Sequence, residues 1–233
     1  MVKIQWNPLV TETAQRLYGL SALIEMIGRA TPDVELQERD ALKQLAEQEN
    51  WDFSDYNVED QFLDVKFGYW LPKLAHYSVI ILLSSLVETQ LLAYARNVGQ
   101  RQKCAFDPND LNGSVLEKAA LYINKVSGLQ LTQNARWQLL KDLQELRNII
   151  VHRAGKPPED KGKRSQLEQI VKRYRISILE NPYAIAADSQ LDISIYTCKS
   201  FAREIEAFFK GHFRDDGLPV ETALWPNIEN RFT

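Results

Sequence analysis

Cysteine is nearly absent from this chain, with only Cys104 and Cys198 among 233 residues. The two lie far apart, without a CxxC pair or a histidine at ligand spacing, which argues against a disulfide framework and against a structural metal site. No metal and no cofactor are therefore expected. Long apolar runs are also missing: the most apolar stretch, Val79 to Leu83, is cut by Ser84, Ser85 and Glu88 well before the ~20 residues a membrane helix needs. The opening Met-Val-Lys-Ile-Gln-Trp-Asn-Pro lacks the apolar core of a signal peptide. Together these features predict a cytoplasmic protein with no membrane partner. A net charge of −3 excludes a uniformly basic nucleic-acid coat.

What charge there is falls unevenly. From Asp33 to Asp64 eleven acids face only Arg39 and Lys43, whereas from Arg153 to Arg175 eight bases face three acids. Such segregation can set a repelling surface apart from one that attracts phosphate. The remaining composition, 45% hydrophobic and 25% charged, is that of an ordinary globular chain able to bury a sizeable core.

Apolar spacing predicts helices almost throughout. Leu17, Leu20, Ile24 and Ile27 give one helix over 12–29, and Thr31-Pro32 is expected to end it and open a second, antiparallel helix to about Gln48. Residues 58–67 are weakly helical, with Pro72 interrupting or starting the next element. Leu74 to Val98 is apolar around nearly its whole circumference, the mark of a helix at the centre of a bundle. Ser114 with Glu117 reads as a capping box for a helix to about Val126. Thr132 is the expected N-cap of a helix ending at Arg153, with Leu139, Leu143, Leu146 and Ile150 as its buried stripe and Ala154-Gly155 as its stop. A basic helix over 163–175, a small hairpin from 176–179 and 190–195, and a final helix over 194–213 follow. The expected fold is all-α: an antiparallel bundle of about six to eight helices with a small β-hairpin before the C-terminal helix. Residues 1–68 read as a helical extension, 69–213 as the bundle and 214–233 as a tail.

Chemistry concentrates in Arg147-Asn-Ile-Ile-Val-His152. Arginine forks onto phosphate and histidine moves protons near neutral pH, so the pair suits a phosphodiester. At about 100° per residue, Lys141, Glu145, Asn148 and His152 form one ridge opposite Leu143. Arg147 falls roughly 40° from Leu143, at the edge of the apolar face. A cation there calls for an anionic partner, and Glu88, on the apolar central helix with only Ser84 and Ser85 as polar neighbours, is the expected one. His152 also reads as a helix-end histidine favoured by the helix dipole, and the Glu88 pair as a packing device only. His76 and His212 have no comparable surroundings.

The motif R-N-x-x-x-H, late in a helix and followed by a Gly/Pro turn, resembles the R-φ-x-x-x-H signature of the HEPN superfamily. The order of parts over Tyr69 to Phe213 resembles it as well. The resemblance implies a dimer with facing motif helices and a metal-independent endoribonuclease in which Arg147 and His152 are catalytic and Asn148 assists. Glu88, Ser84 and Glu145 would support them, and Arg153, Lys156, Lys163, Arg164, Lys172 and Arg173 would grip the RNA backbone. Homodimerisation would supply the acid and the base that one histidine cannot. An antitoxin or other regulatory protein is a further implied partner, although the tyrosine that such antitoxins modify, two residues after the histidine, is Ala154 here. The competing reading is a non-catalytic helical module that dimerises or docks on a partner.

Overall fold

Seven α-helices and one hairpin make up the computed structural model, which describes residues 7–180, 188–222 and 225. The chain is all-α apart from that hairpin, as the apolar spacing predicts. Helix α1, Pro8–Glu49, starts at Asn7, whose side chain accepts from the Val10 N–H, and ends at Asn50 in the left-handed region. It runs straight through Pro32, where two antiparallel helices were expected. A proline removes one helical N–H and crowds the carbonyl four residues back. Here that carbonyl belongs to Gly28, residues 28–30 are exposed so water can reach it, and the Thr31 hydroxyl donates to the Ile27 carbonyl at 2.9 Å.

The expected extension over 1–68 divides in two. Leu9, Val10, Leu17 and Ile24 belong to the main core, and Thr13 donates to the Gln90 side chain at 2.8 Å with both residues fully buried. From 28 to 66 no residue is buried. This second half of α1 lies against α2, Phe53–Val65, as a two-helix arm on which Arg39 reaches Glu35, Asp60 and Asp64 and Lys66 reaches Glu38. Such surface pairs contribute only ~0.2–1 kcal/mol each.

A π-turn over Lys66–Trp70 carries α2 without a break into α3, Leu71–Arg101, with Pro72 tolerated in its first turn. Helix α3 is central as expected, packed against α1, α4, α5 and α7. The run Phe53–Arg101 does contain an 18-residue window of mean hydropathy 1.6, long and apolar enough to cross a membrane, and 56% of it is buried inside the bundle. Helix α4, Val115–Ser127, has the expected capping box, with Ser114 and Glu117 satisfying each other's backbone N–H groups. Helix α5, Trp137–Arg153, begins later than expected: Leu131–Gln133 forms a separate 3-10 turn, and the Asn134 side chain, not Thr132, takes up the Arg136 N–H at 2.8 Å.

Asp160 caps α6, Lys161–Tyr174. Strands β1, Ser177–Glu180, and β2, Ser189–Asp192, then pair antiparallel with Ser177 opposite Asp192. The segment 181–187 that joins the two strands lies outside the described residues. Ser194 caps α7, Ile195–Asp215, whose Phe201, Phe208, Phe209 and Phe213 are at most 1% exposed. The tail begins with a 3-10 turn at Val220–Thr222.

Candidate functional site

The apolar stripe of α5 seats the motif helix. Leu139, Leu143, Leu146 and Ile150 are all buried, which turns Lys141 and His152 out to solvent and leaves Glu145, Asn148 and Arg147 half-buried. The helix ends at Arg153, one residue past His152, and Ala154 at φ 52° and Gly155 at φ 81° follow it. The Gly155 N–H reaches back to the Ile149 carbonyl, so the turn that stops the helix also satisfies one of its last carbonyls.

Two contacts set the register of α5 on α3. Gln144 Nε2 donates to Glu88 Oε1 at 3.2 Å, and Gly155 lies so close to Tyr77 that an added Cβ would sit 2.0 Å from its hydroxyl oxygen. Both pairs span the same stretch of helix in opposite directions, so α3 and α5 run antiparallel. Arg147 therefore stands about one turn from Glu88, level with Ser84 and Ser85. The expected Glu88–Arg147 pair does not form. Glu88 is half-buried, not cut off from water, and serves Gln144 instead. Ser84 is only 2% exposed and belongs to the packed side of α3.

Arg147 Nη1 instead donates to Asn148 Oδ1 at 3.0 Å. Among the described residues that neutral amide is its only hydrogen-bond partner, and no carboxylate lies within ion-pair distance. The guanidinium is held at the rim of the core with its charge uncompensated, a position suited to an incoming anion. His152 is exposed one turn after Asn148, on the ridge that those two share and Arg147 does not.

The six expected phosphate-binding residues separate by what they touch. Arg153 donates to the Lys156 and Pro157 carbonyls and pairs with Glu159 at 3.6 Å, fastening the loop after the motif. Lys156 pairs with Asp188 at 2.8 Å, and Arg164 stands 3.9 Å from Glu168 on its own helix. Lys163 and Lys172 are exposed, with no ion pair among the described residues. Arg173 differs from the other five in giving its Nη1 to the buried Asp142 carboxylate, while its side chain stays 43% exposed.

Asp142 escaped the sequence reading altogether. It sits one position before Leu143, 2% exposed, and also accepts from the Tyr174 hydroxyl at 2.9 Å and from Gln138 Nε2 at 2.8 Å. Burial, and next the bond to Asp142, push the Tyr174 phenol above its ordinary range. A buried carboxylate requires such donors, and two of them, Arg173 and Tyr174, lock α6 onto the motif helix, on which Gln138 itself lies. The only available signal was an acid flanking a core position ahead of a basic helix. Gly155, Tyr77 and Leu191 were missed as well: Tyr77 donates to the Leu191 carbonyl at 2.6 Å and Leu191 donates to the Gly155 carbonyl at 2.9 Å. The end of α5 is thereby tied to both α3 and the hairpin.

Among the described residues no three His, Cys, Asp or Glu side chains cluster to hold a metal ion. No family model, no curated protein and no solved structure matches this chain.

Proposed function

We propose that the protein is a metal-independent endoribonuclease of the HEPN type, acting as a homodimer whose two motif helices share one cleft. The observation that carries this reading is the state of Arg147: half-buried, oriented by Asn148, and without a carboxylate partner, beside an exposed His152. In the reaction, His152 takes the proton from a ribose 2′-hydroxyl, whose oxygen attacks the adjacent phosphorus. The P–O5′ bond breaks, and a second His152, from the other copy, protonates the leaving oxygen. Arg147 stabilises the charge on the phosphoryl oxygens. The products are a 2′,3′-cyclic phosphate and a 5′-hydroxyl.

An exposed apolar stripe supports the second copy. Leu71, Leu74 and Leu82 on α3 and Val151 on α5 are 37, 56, 41 and 46% exposed; the small residue Ser78 lies between the leucines and Ser85 just beyond Leu82, both exposed. A dimer packed there would cover apolar surface and bring two motif helices, each with its Arg147 and His152, together. Lys163 and Lys172, with Arg164, supply a basic track for the RNA backbone. The two free thiols suit a reducing cytoplasm. With Ala154 where regulated relatives carry a tyrosine, control by a partner would take another route.

The test is mixed RNA incubated in EDTA with wild type, His152→Ala and Arg147→Ala. Wild type cleaves; each variant loses roughly 10²–10⁴ of the rate. His152 is exposed, so its variant keeps wild-type stability to within ~0.5 kcal/mol. RNA left equally intact by wild type and His152→Ala across a range of substrates would overturn the proposal.

A further inference from the structure

Away from the motif, a cavity of about 370 Å3 opens between the start of α3, the hairpin and the start of α7, with Pro72, Lys73, His76, Leu179, Ile193 and Tyr196 among its lining. That volume lies within the range of small-molecule sites. Its walls are mainly apolar, and among the described residues its one lysine or arginine is Lys73, which is only 7% exposed. The ammonium donates to the Tyr69 hydroxyl at 2.8 Å and to Gln190 Oε1, and it stands 4.4 Å over the Tyr69 ring. No described carboxylate lies within ion-pair distance of it, and the segment 181–187 that joins the two strands contains no acid. The neighbouring acids are engaged or solvated. Asp188 pairs with Lys156 at 2.8 Å and accepts from Gln190 at 2.7 Å, and Asp192, which lines the cavity, is exposed to solvent.

Lysines this buried are almost always paired, since an uncompensated charge is costly to desolvate. Lys73 has three N–H donors, and two are used inside the chain. Burial holds its pKa below the ordinary lysine range, with Asp188 and Asp192 opposing that shift. His76, half-buried one turn on, has its pKa lowered by burial, opposed by a backbone bond to Ile193 and by Asp192. The π-turn at Lys66–Trp70, a feature frequent at functional sites, delivers Tyr69 and Lys73 to the cavity.

We infer that this cavity is a binding site for a small monocarboxylate with a flat apolar body, whose carboxylate takes the third hydrogen of Lys73 while its body packs against Pro72, Leu179 and Ile193. A phosphate would be poorly served, because among the described residues the lining holds no arginine and only one lysine, and phosphate sites rely on several donors. The site does not depend on the ribonuclease reading. It does adjoin the motif helix, since Leu191 of its wall bonds the Gly155 carbonyl.

Benzoate titrated into the full-length protein, followed by calorimetry and thermal unfolding, tests this without RNA. Wild type binds benzoate saturably with a Kd of about 1 mM or tighter, with a rise in Tm, while benzylamine and inorganic phosphate give neither. Lys73→Met weakens benzoate at least tenfold, and Asp192→Asn, which removes an exposed repelling charge, strengthens it severalfold. Should Lys73→Met fail to fold, the Asp192→Asn response decides. No benzoate binding by wild type, equal binding by Lys73→Met, binding of phosphate in its place, or an unchanged Asp192→Asn would each overturn the inference.

Discussion

Replacing Gly155 by alanine strikes the point where the motif helix, α3 and the hairpin meet. At φ 81° a side chain costs about 1 kcal/mol from backbone strain alone. The added Cβ would lie 2.0 Å from the Tyr77 hydroxyl oxygen and 2.7 and 2.8 Å from two ring carbons. The tyrosine cannot turn aside freely, because its hydroxyl is bound to the Leu191 carbonyl at 2.6 Å within the core. Overpacking of this kind costs typically ~1–3 kcal/mol, and breaking the hydrogen bond adds about 1 kcal/mol. A loss of about 4 kcal/mol is expected, which for a chain of this size lowers Tm by roughly 8–16 °C. Urea denaturation and circular-dichroism melts measure both. Tyr77→Phe removes the nearest clashing atom, so the double variant should lose about 1 kcal/mol less than the two single losses added together. A Gly155→Ala protein within about 1 kcal/mol of wild type would refute the proposed three-way lock.

Asp142→Ala should cost about 2–4 kcal/mol in urea denaturation, because the half-buried Tyr174 hydroxyl is left without its acceptor while the 43%-exposed Arg173 recovers water; a loss below about 1 kcal/mol would contradict this. Arg173→Gln should lower stability with little change in RNA affinity, and Lys172→Gln the reverse, by filter binding; equal affinity losses would return Arg173 to the RNA surface. Iodoacetamide should add once to the native protein, at Cys104, because Cys198 is fully buried and burial pushes its thiol up to about 12; two adducts by mass would count against the fold. Burial lowers the pKa of His76 and His212 below 6.5, so below that value the unfolded chain protonates first. Stability present above pH 6.5 should then fall as the solution is acidified through the lowered values, and a Tm unchanged from about pH 7 to 5 would refute this.

Local chemistry was legible where neighbours in sequence are neighbours in space. The Ser114–Glu117 capping box and the buried stripe of α5 follow from spacings of three and four residues. Pro32 misled because its cost depends on whether water can reach the freed carbonyl, a property of the folded arm. The Glu88–Arg147 pair failed for another reason: which residues meet across α3 and α5 is set by register, and a single turn handed Glu88 to Gln144. Asp142 and Lys73 were invisible because a buried charge announces itself only once its surroundings are known. The motif segment was the reverse case, since its residue types alone singled it out.

The central claim is that Arg147 and His152 cleave RNA through the ribose 2′-hydroxyl. Analysis of the ends left on an RNA oligonucleotide cut in EDTA tests it most directly. The account predicts a 2′,3′-cyclic phosphate and a 5′-hydroxyl from wild type and neither from His152→Ala. Products ending in a 3′-hydroxyl and a 5′-phosphate, or cleavage that survives His152→Ala, would contradict it.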